Sequence, residues 1–120
     1  MLELKQLFEI QSKFDRKLGW NAYEKCKAAE EKLKFMEHFV LVMVEELGEI
    51  SRIRKQYFRD KQSFTTEDIK HELADIFVYL IQACMAANMD LEKDYLKKVK
   101  YNEQRFIHNS SRQQGSLVPF

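Results

Sequence analysis

Chain-breaking residues are scarce. The 120 residues include only Gly19, Gly48, Gly115 and Pro119 from the glycine and proline classes, where average usage would place about eight glycines and about six prolines. A β-sandwich needs turn residues about every 8–12 positions, so the scarcity argues against that architecture. Phosphate-cradling loops and dinucleotide fingerprints need clustered glycines and are excluded too. Two cysteines, Cys26 and Cys84, are too few for a disulfide-stapled small domain. Neither sign of charge dominates: 20 Lys and Arg against 19 Asp and Glu leave +1. That balance argues against a nucleic-acid binder or an acidic tail. The first residues, MLELKQLFEIQSKFDRK, are charged throughout and lack the apolar stretch of a signal peptide. The longest apolar run, Leu73 to Met89, contains Asp75, Gln82 and Asn88 and is short for a membrane span. The expectation is a cytoplasmic protein with reduced thiols and no membrane segment.

What is present is helical periodicity. The fold class expected is all-α: a four-helix-bundle-like domain over residues 1–108, followed by a mobile tail at 109–120. Leu2, Leu7, Ile10, Phe14 and Leu18 mark one stripe of a first helix over about 2–18, ended by Gly19. A second helical region covers about 22–58, with a break expected in the charged stretch Glu30 to Lys34. Thr65, with Asp68 three residues on, opens a third helix to about Ala87. Asp90 caps a fourth helix over about 91–107.

Two of these helices place acids where a core is expected. Within FVLVMVEELGEI, Phe39, Val42, Ile50 and Ile53 lie within about 40° of Glu46 and Glu49 lies about 60° from it, with Glu45 at the edge of that stripe. In the third helix, Glu72 and Asp75 sit beside Tyr79 in a segment apolar nearly all round, which implies burial on most sides. Burying one uncompensated carboxylate costs several kcal/mol, and burying four together adds repulsion. No Lys or Arg falls on these apolar faces. That leaves a hard divalent cation, Mg²⁺ or Mn²⁺, held by Glu46, Glu49, Glu72 and Asp75. A lone ExxE on a helix is commonplace; the pairing of two such motifs, each in an apolar stripe, is what points to metal.

The double motif, EELGEI at 45–50 and ELAD at 72–75, resembles the ExxE…ExxD pattern of the MazG-like all-α nucleoside triphosphate pyrophosphohydrolases. The resemblance spans roughly residues 1–108. It implies a helical, dimeric or tetrameric enzyme that hydrolyses (d)NTPs to the monophosphate and pyrophosphate with Mg²⁺, serving to cleanse the nucleotide pool. It makes Glu46, Glu49, Glu72 and Asp75 the metal ligands, with Glu45 to hold a further metal or orient the water; the general base expected of the mechanism is Glu45 or Glu49. It assigns Lys98, Asn102 and Arg105 to the triphosphate, Tyr79 to the substrate and Trp20 to the base pocket. Lys98, Asn102 and Arg105 share one stripe at i, i+4 and i+7. The chain departs from the dCTP-pyrophosphatase branch in a longer stretch from Trp20 to Glu46, and in Gln56 where that branch has tryptophan, so no base preference transfers.

The chemistry implied is in-line attack by a deprotonated water at the α-phosphorus, with Lys98 and Arg105 neutralising the leaving pyrophosphate. A di-iron carboxylate bundle needs Glu-x-x-His, and Phe35, Asp68 and Arg105 precede His38, His71 and His108 by three instead. The histidines are therefore not expected as ligands, though His108 lies close enough to the basic tail to reach phosphate. The rival reading is a non-enzymatic helical oligomer whose carboxylates serve subunit specificity. The basic charge gathers late: residues 93–112 hold six Lys and Arg against two Asp and Glu.

Overall fold

The computed structural model describes residues 1–110, with side chains described through 107. It is all-α: helices α1 (Leu4–Leu18), α2 (Ala29–Phe58), α3 (Thr66–Ala86) and α4 (Leu91–Ser110), with a 3₁₀ turn at Ala22–Lys25. No strand occurs among the described residues. The described part forms two units, residues 1–89 and residues from 90 onward. Most of the expected mobile tail, 111–120, and the His108 side chain lie outside what is described.

The helix ends follow local chemistry. At the start of α1 the Glu3 N–H donates to Gln6 Oε1 at 2.7 Å. Gly19 closes the helix at φ +74, a left-handed conformation that costs glycine nothing. The Thr65 hydroxyl accepts from the Asp68 N–H at the start of α3. Asp90 Oδ1 accepts from the Lys93 N–H at 3.1 Å at the start of α4. The expected break at Glu30 to Lys34 does not occur. The interruption falls earlier, where Cys26 and Ala28 are extended, and α2 then runs unbroken for 30 residues. The charges that suggested a break support the helix instead. Glu30 and Glu31 occupy the first turn, where the helix dipole favours anions, and Glu30 pairs with Lys34 at 3.8 Å.

In the first unit α3 is the hub, packing on α2, on α1 and on the 3₁₀ turn. Helices α2 and α3 run antiparallel: Gln56 lies near Asp68, Glu46 near Glu72 and Asp75, and Phe39 near Tyr79 and Ala86. Tyr23, Phe39 and Ala86 form the core, with Phe35, Met36, Tyr79, Ala83 and Met85 against them. The Tyr23 ring meets Phe39 edge-on at 5.4 Å, a favourable aromatic geometry.

Helix α1 docks the opposite way from its apolar pattern. Its buried residues are Ser12 and Asp15, while Ile10, Phe14 and Leu18 stay exposed. Asp15 is fully buried. It accepts from the Tyr23 hydroxyl, from Gln11 Nε2 at 2.9 Å and from Gln82 Nε2 at 3.1 Å. Burial, then the hydrogen bond to Asp15, pushes the Tyr23 hydroxyl far above its ordinary range. Beside this network, Ser12 donates to Glu24, which also takes Arg16 Nε at 3.0 Å. Burial tends to raise the Glu24 carboxyl, but its bonds to Ser12 and Arg16 outweigh that and hold it below the ordinary value. Polar bonds thus join α1, the 3₁₀ turn and α3.

Helix α3 is less enclosed than its composition implies. Ile81, Gln82, Cys84 and Ala86 are buried, whereas Leu73 and Phe77 remain exposed. Val40, Leu41, Val44 and Leu47 on α2 are exposed as well. Helix α4, in the second unit, exposes Tyr95, Leu96, Tyr101 and Phe106. No single described helix is long and apolar enough to cross a membrane.

Candidate metal centre

The antiparallel register of α2 on α3 brings Glu46 against Glu72 and Asp75. One oxygen from each carboxylate lies within 4.8 Å of the others, and all three residues are half-buried. An i,i+3 step on α3 puts Glu72 and Asp75 on one face, and Glu46 meets them from α2. One Glu72 oxygen, Oε2, is buried without a hydrogen-bond partner. These three carboxylates could together hold a hard cation.

The electrostatics agree. The Glu46 carboxyl is pushed up to about 7. The leading cause is the hydrogen bond that its protonated form makes to Glu72, followed by burial and the charges of Glu72, Asp75 and Glu49. A proton is doing part of the neutralising that a cation would do. The Tyr79 hydroxyl is raised by burial and then by the charges of Glu46, Asp75 and Glu45. Tyr79 therefore does two things at once: it packs on the Tyr23–Phe39 core and faces the carboxylates.

Glu49 does not join the three-oxygen group. Its Oε2 accepts from Arg52 Nη2 at 2.8 Å and Nε at 3.0 Å, and its side chain is 48% exposed. The expectation of a cation-free face missed Arg52 because a residue three positions on reaches back over the helix edge. Glu45 is exposed, close enough to bear on Tyr79. His71, set aside by its spacing, places Nε2 3.6 Å from Asp75 Oδ2. A cavity of about 290 Å³ opens beside Glu72, and Arg52, Gln56, Phe64, Asp68 and His71 are among the residues that line it.

The remaining expected site residues are Trp20, just after α1, and three residues of α4. Trp20 is 61% exposed at the end of α1, edge-on to Phe14 at 6.1 Å. Its N–H donates to the Asp15 carbonyl at 2.8 Å, and none of its described contacts reaches the carboxylates. Lys98, Asn102 and Arg105 all sit on α4. Lys98 Nζ and the Arg105 guanidinium lie 4.9 and 5.9 Å from the centre of the Tyr101 ring.

The sequence reading overlooked Asp15, the most buried acid among the described residues. Its one local signal is that Ser12 and Asp15 share a face of α1 away from the apolar stripe. Its partner Gln82 is 67 positions distant. Compared with family models, with curated proteins and with solved structures, the chain finds no match.

Proposed function

We propose that this chain is a Mg²⁺-dependent hydrolase that converts (deoxy)nucleoside triphosphates to the monophosphate and pyrophosphate, in the manner of the MazG-like enzymes its double motif resembles. The observation that carries this reading is the convergence of Glu46, Glu72 and Asp75 oxygens within 4.8 Å, with Glu72 Oε2 orphaned. Glu46, Glu72 and Asp75 would hold Mg²⁺, or Mn²⁺ in its place, with Glu49 joining them on release from Arg52. Bound there, the ion would supply charge neutralisation and acidify a coordinated water.

The chain's own residues supply the rest. Glu45, exposed and bearing on Tyr79 through its charge, would accept a proton from the attacking water; Glu49 is the alternative base. Tyr79 forms an apolar wall with a polar tip beside the carboxylates. Lys98, Asn102 and Arg105 present two cations and an amide on one α4 stripe for a polyanion. Trp20 offers an exposed ring on which a base can stack. This is a cytoplasmic role in nucleotide-pool upkeep, with no nucleic acid or membrane partner.

The exposed apolar rows on α1, α2 and α3 support a homodimer or homotetramer. They equally favour a second reading, a helical interaction protein without catalysis. A pyrophosphate-release screen across canonical and modified (d)NTPs separates the two. The enzyme reading expects turnover that needs Mg²⁺, stops in EDTA, and falls at least about a hundredfold in Glu72→Gln/Asp75→Asn. Equal release with and without metal, or none from any nucleotide, refutes it.

A further inference from the structure

A second cavity, of about 780 Å³, lies between α1, the 3₁₀ turn and the C-terminal end of α3. It shares no lining residue with the carboxylate group. Its volume falls within the range of small-molecule sites, about 300–1,000 Å³. Phe8, Cys84, Met85 and Met89 give it an apolar floor, and methionines adapt their shape to irregular ligands.

The rim is cationic. Lys5, Lys13, Arg16 and Lys25 face the cavity, against Glu9 and Glu24. Glu24 is already committed to Ser12 and Arg16. Lys34, Arg52, Arg59 and Lys70 each pair with a carboxylate. Lys5, Lys13 and Lys25 have no ion pair among the described residues; Glu9, four residues from both Lys5 and Lys13, offsets part of their charge, and four cations against two carboxylates leave the rim net positive over an apolar lining.

The walls are held in advance. Asp15 ties α1 to the 3₁₀ turn through Tyr23 and to α3 through Gln82, and Glu24 ties the turn back to Ser12 and Arg16. A ligand entering here need not organise its own site, which favours binding. An apolar floor excludes a bare inorganic anion as the best fit, and three unpaired lysines exclude a neutral apolar one.

We propose that this cavity is a second binding site, for a small organic anion that has an apolar body and a phosphate or carboxylate head. The body lies on Phe8, Met85 and Met89, and the head meets Lys13 and Lys25, with Lys5 farther along the α1 rim.

The test is an NMR titration of the full chain in EDTA, which removes any divalent cation from the carboxylates. Phenyl phosphate and phenylacetate are the probes; inorganic phosphate and benzyl alcohol are the controls. Saturable shifts are expected at the amides of Ser12, Cys84 and Met89 with at least one probe, bound more tightly than either control. The stronger probe identifies the head group. Lys13→Glu/Lys25→Glu should weaken that probe at least about tenfold, and Lys13→Gln/Lys25→Gln should weaken it less. Both pairs are exposed and unpaired, so unchanged spectra elsewhere confirm the fold. Undiminished binding in the charge-reversed variant, a control that binds as tightly as the probes, or shifts confined to other surfaces overturns the proposal.

Discussion

A proton and a cation cannot both neutralise Glu46, and that competition sets a measurable pH dependence. With its carboxyl raised to about 7, roughly ten of eleven molecules carry the proton at pH 6 and roughly one of eleven at pH 8. Metal binding that must displace this one proton should therefore weaken about tenfold from pH 8 to pH 6 and level off above 8. Without metal the sign reverses. An acid whose folded value lies above its ordinary 4.5 contributes stability that is fully present below pH 4.5 and lost as pH rises through about 7. The full shift corresponds to about 3 kcal/mol; solvent at a half-open site screens most of it, leaving about 1 kcal/mol. Glu46→Gln keeps a donor for Glu72 and removes the titrating charge. At pH 8 the metal-free variant should melt about 3–5 °C above the parent, with no gain at pH 4.5. Thermal denaturation with and without 5-fold-stepped Mg²⁺, at pH 6, 7 and 8, reads both effects. A Mg²⁺-induced stabilisation equal at pH 6 and pH 8, or a Glu46→Gln melting curve that follows the parent at every pH, would refute the reasoning.

Three further outcomes follow from the same contacts. Arg52→Ala removes a cation from beside the carboxylates and releases Glu49, so Mg²⁺ affinity should rise about two- to fivefold by calorimetry; a fall would show that Arg52 supports the site. Asp15→Ala strands the donors of Tyr23, Gln11 and Gln82, and should cost about 2–4 kcal/mol in urea denaturation. A loss below about 1 kcal/mol would mean the network contributes little. In the proposed homo-oligomer, Val40→Asp/Val44→Asp places charge in the exposed apolar row of α2 and should shift sedimentation toward monomer while leaving helicity unchanged; an unaltered assembly state would refute assembly through that row.

Helix content was legible because local rules dictate it. Thr65, Gly19 and Asp90 cap or close helices through their own side-chain and backbone chemistry, and the apolar spacing of α2 and α3 needs no distant partner. The acid pairs at 46/49 and 72/75 were legible for the same reason, since i,i+3 spacing alone sets a shared face. The charged opening of α2 misled because Glu30 and Lys34 were weighed as polarity and not as a dipole-favoured first turn. The pairing of Glu49 with Arg52 was not legible because the helical wheel places Cα positions, while a long Arg52 side chain crosses from one face to the next.

The sequence by itself determined the helices, their approximate ends and the anomalous acids within apolar stripes, all consequences of interactions within a few residues. Only the tertiary structure decided which acids meet. The register of α2 against α3 selects Glu46, Glu72 and Asp75 and leaves Glu49 to Arg52. It also decided that α1 docks through Asp15 and not through Ile10, Phe14 and Leu18. A fully buried carboxylate is tolerated only when donors arrive from elsewhere in the chain, and Gln82 arrives from 67 residues away. Periodicity cannot report such a partner, because it exists only once the helices are packed.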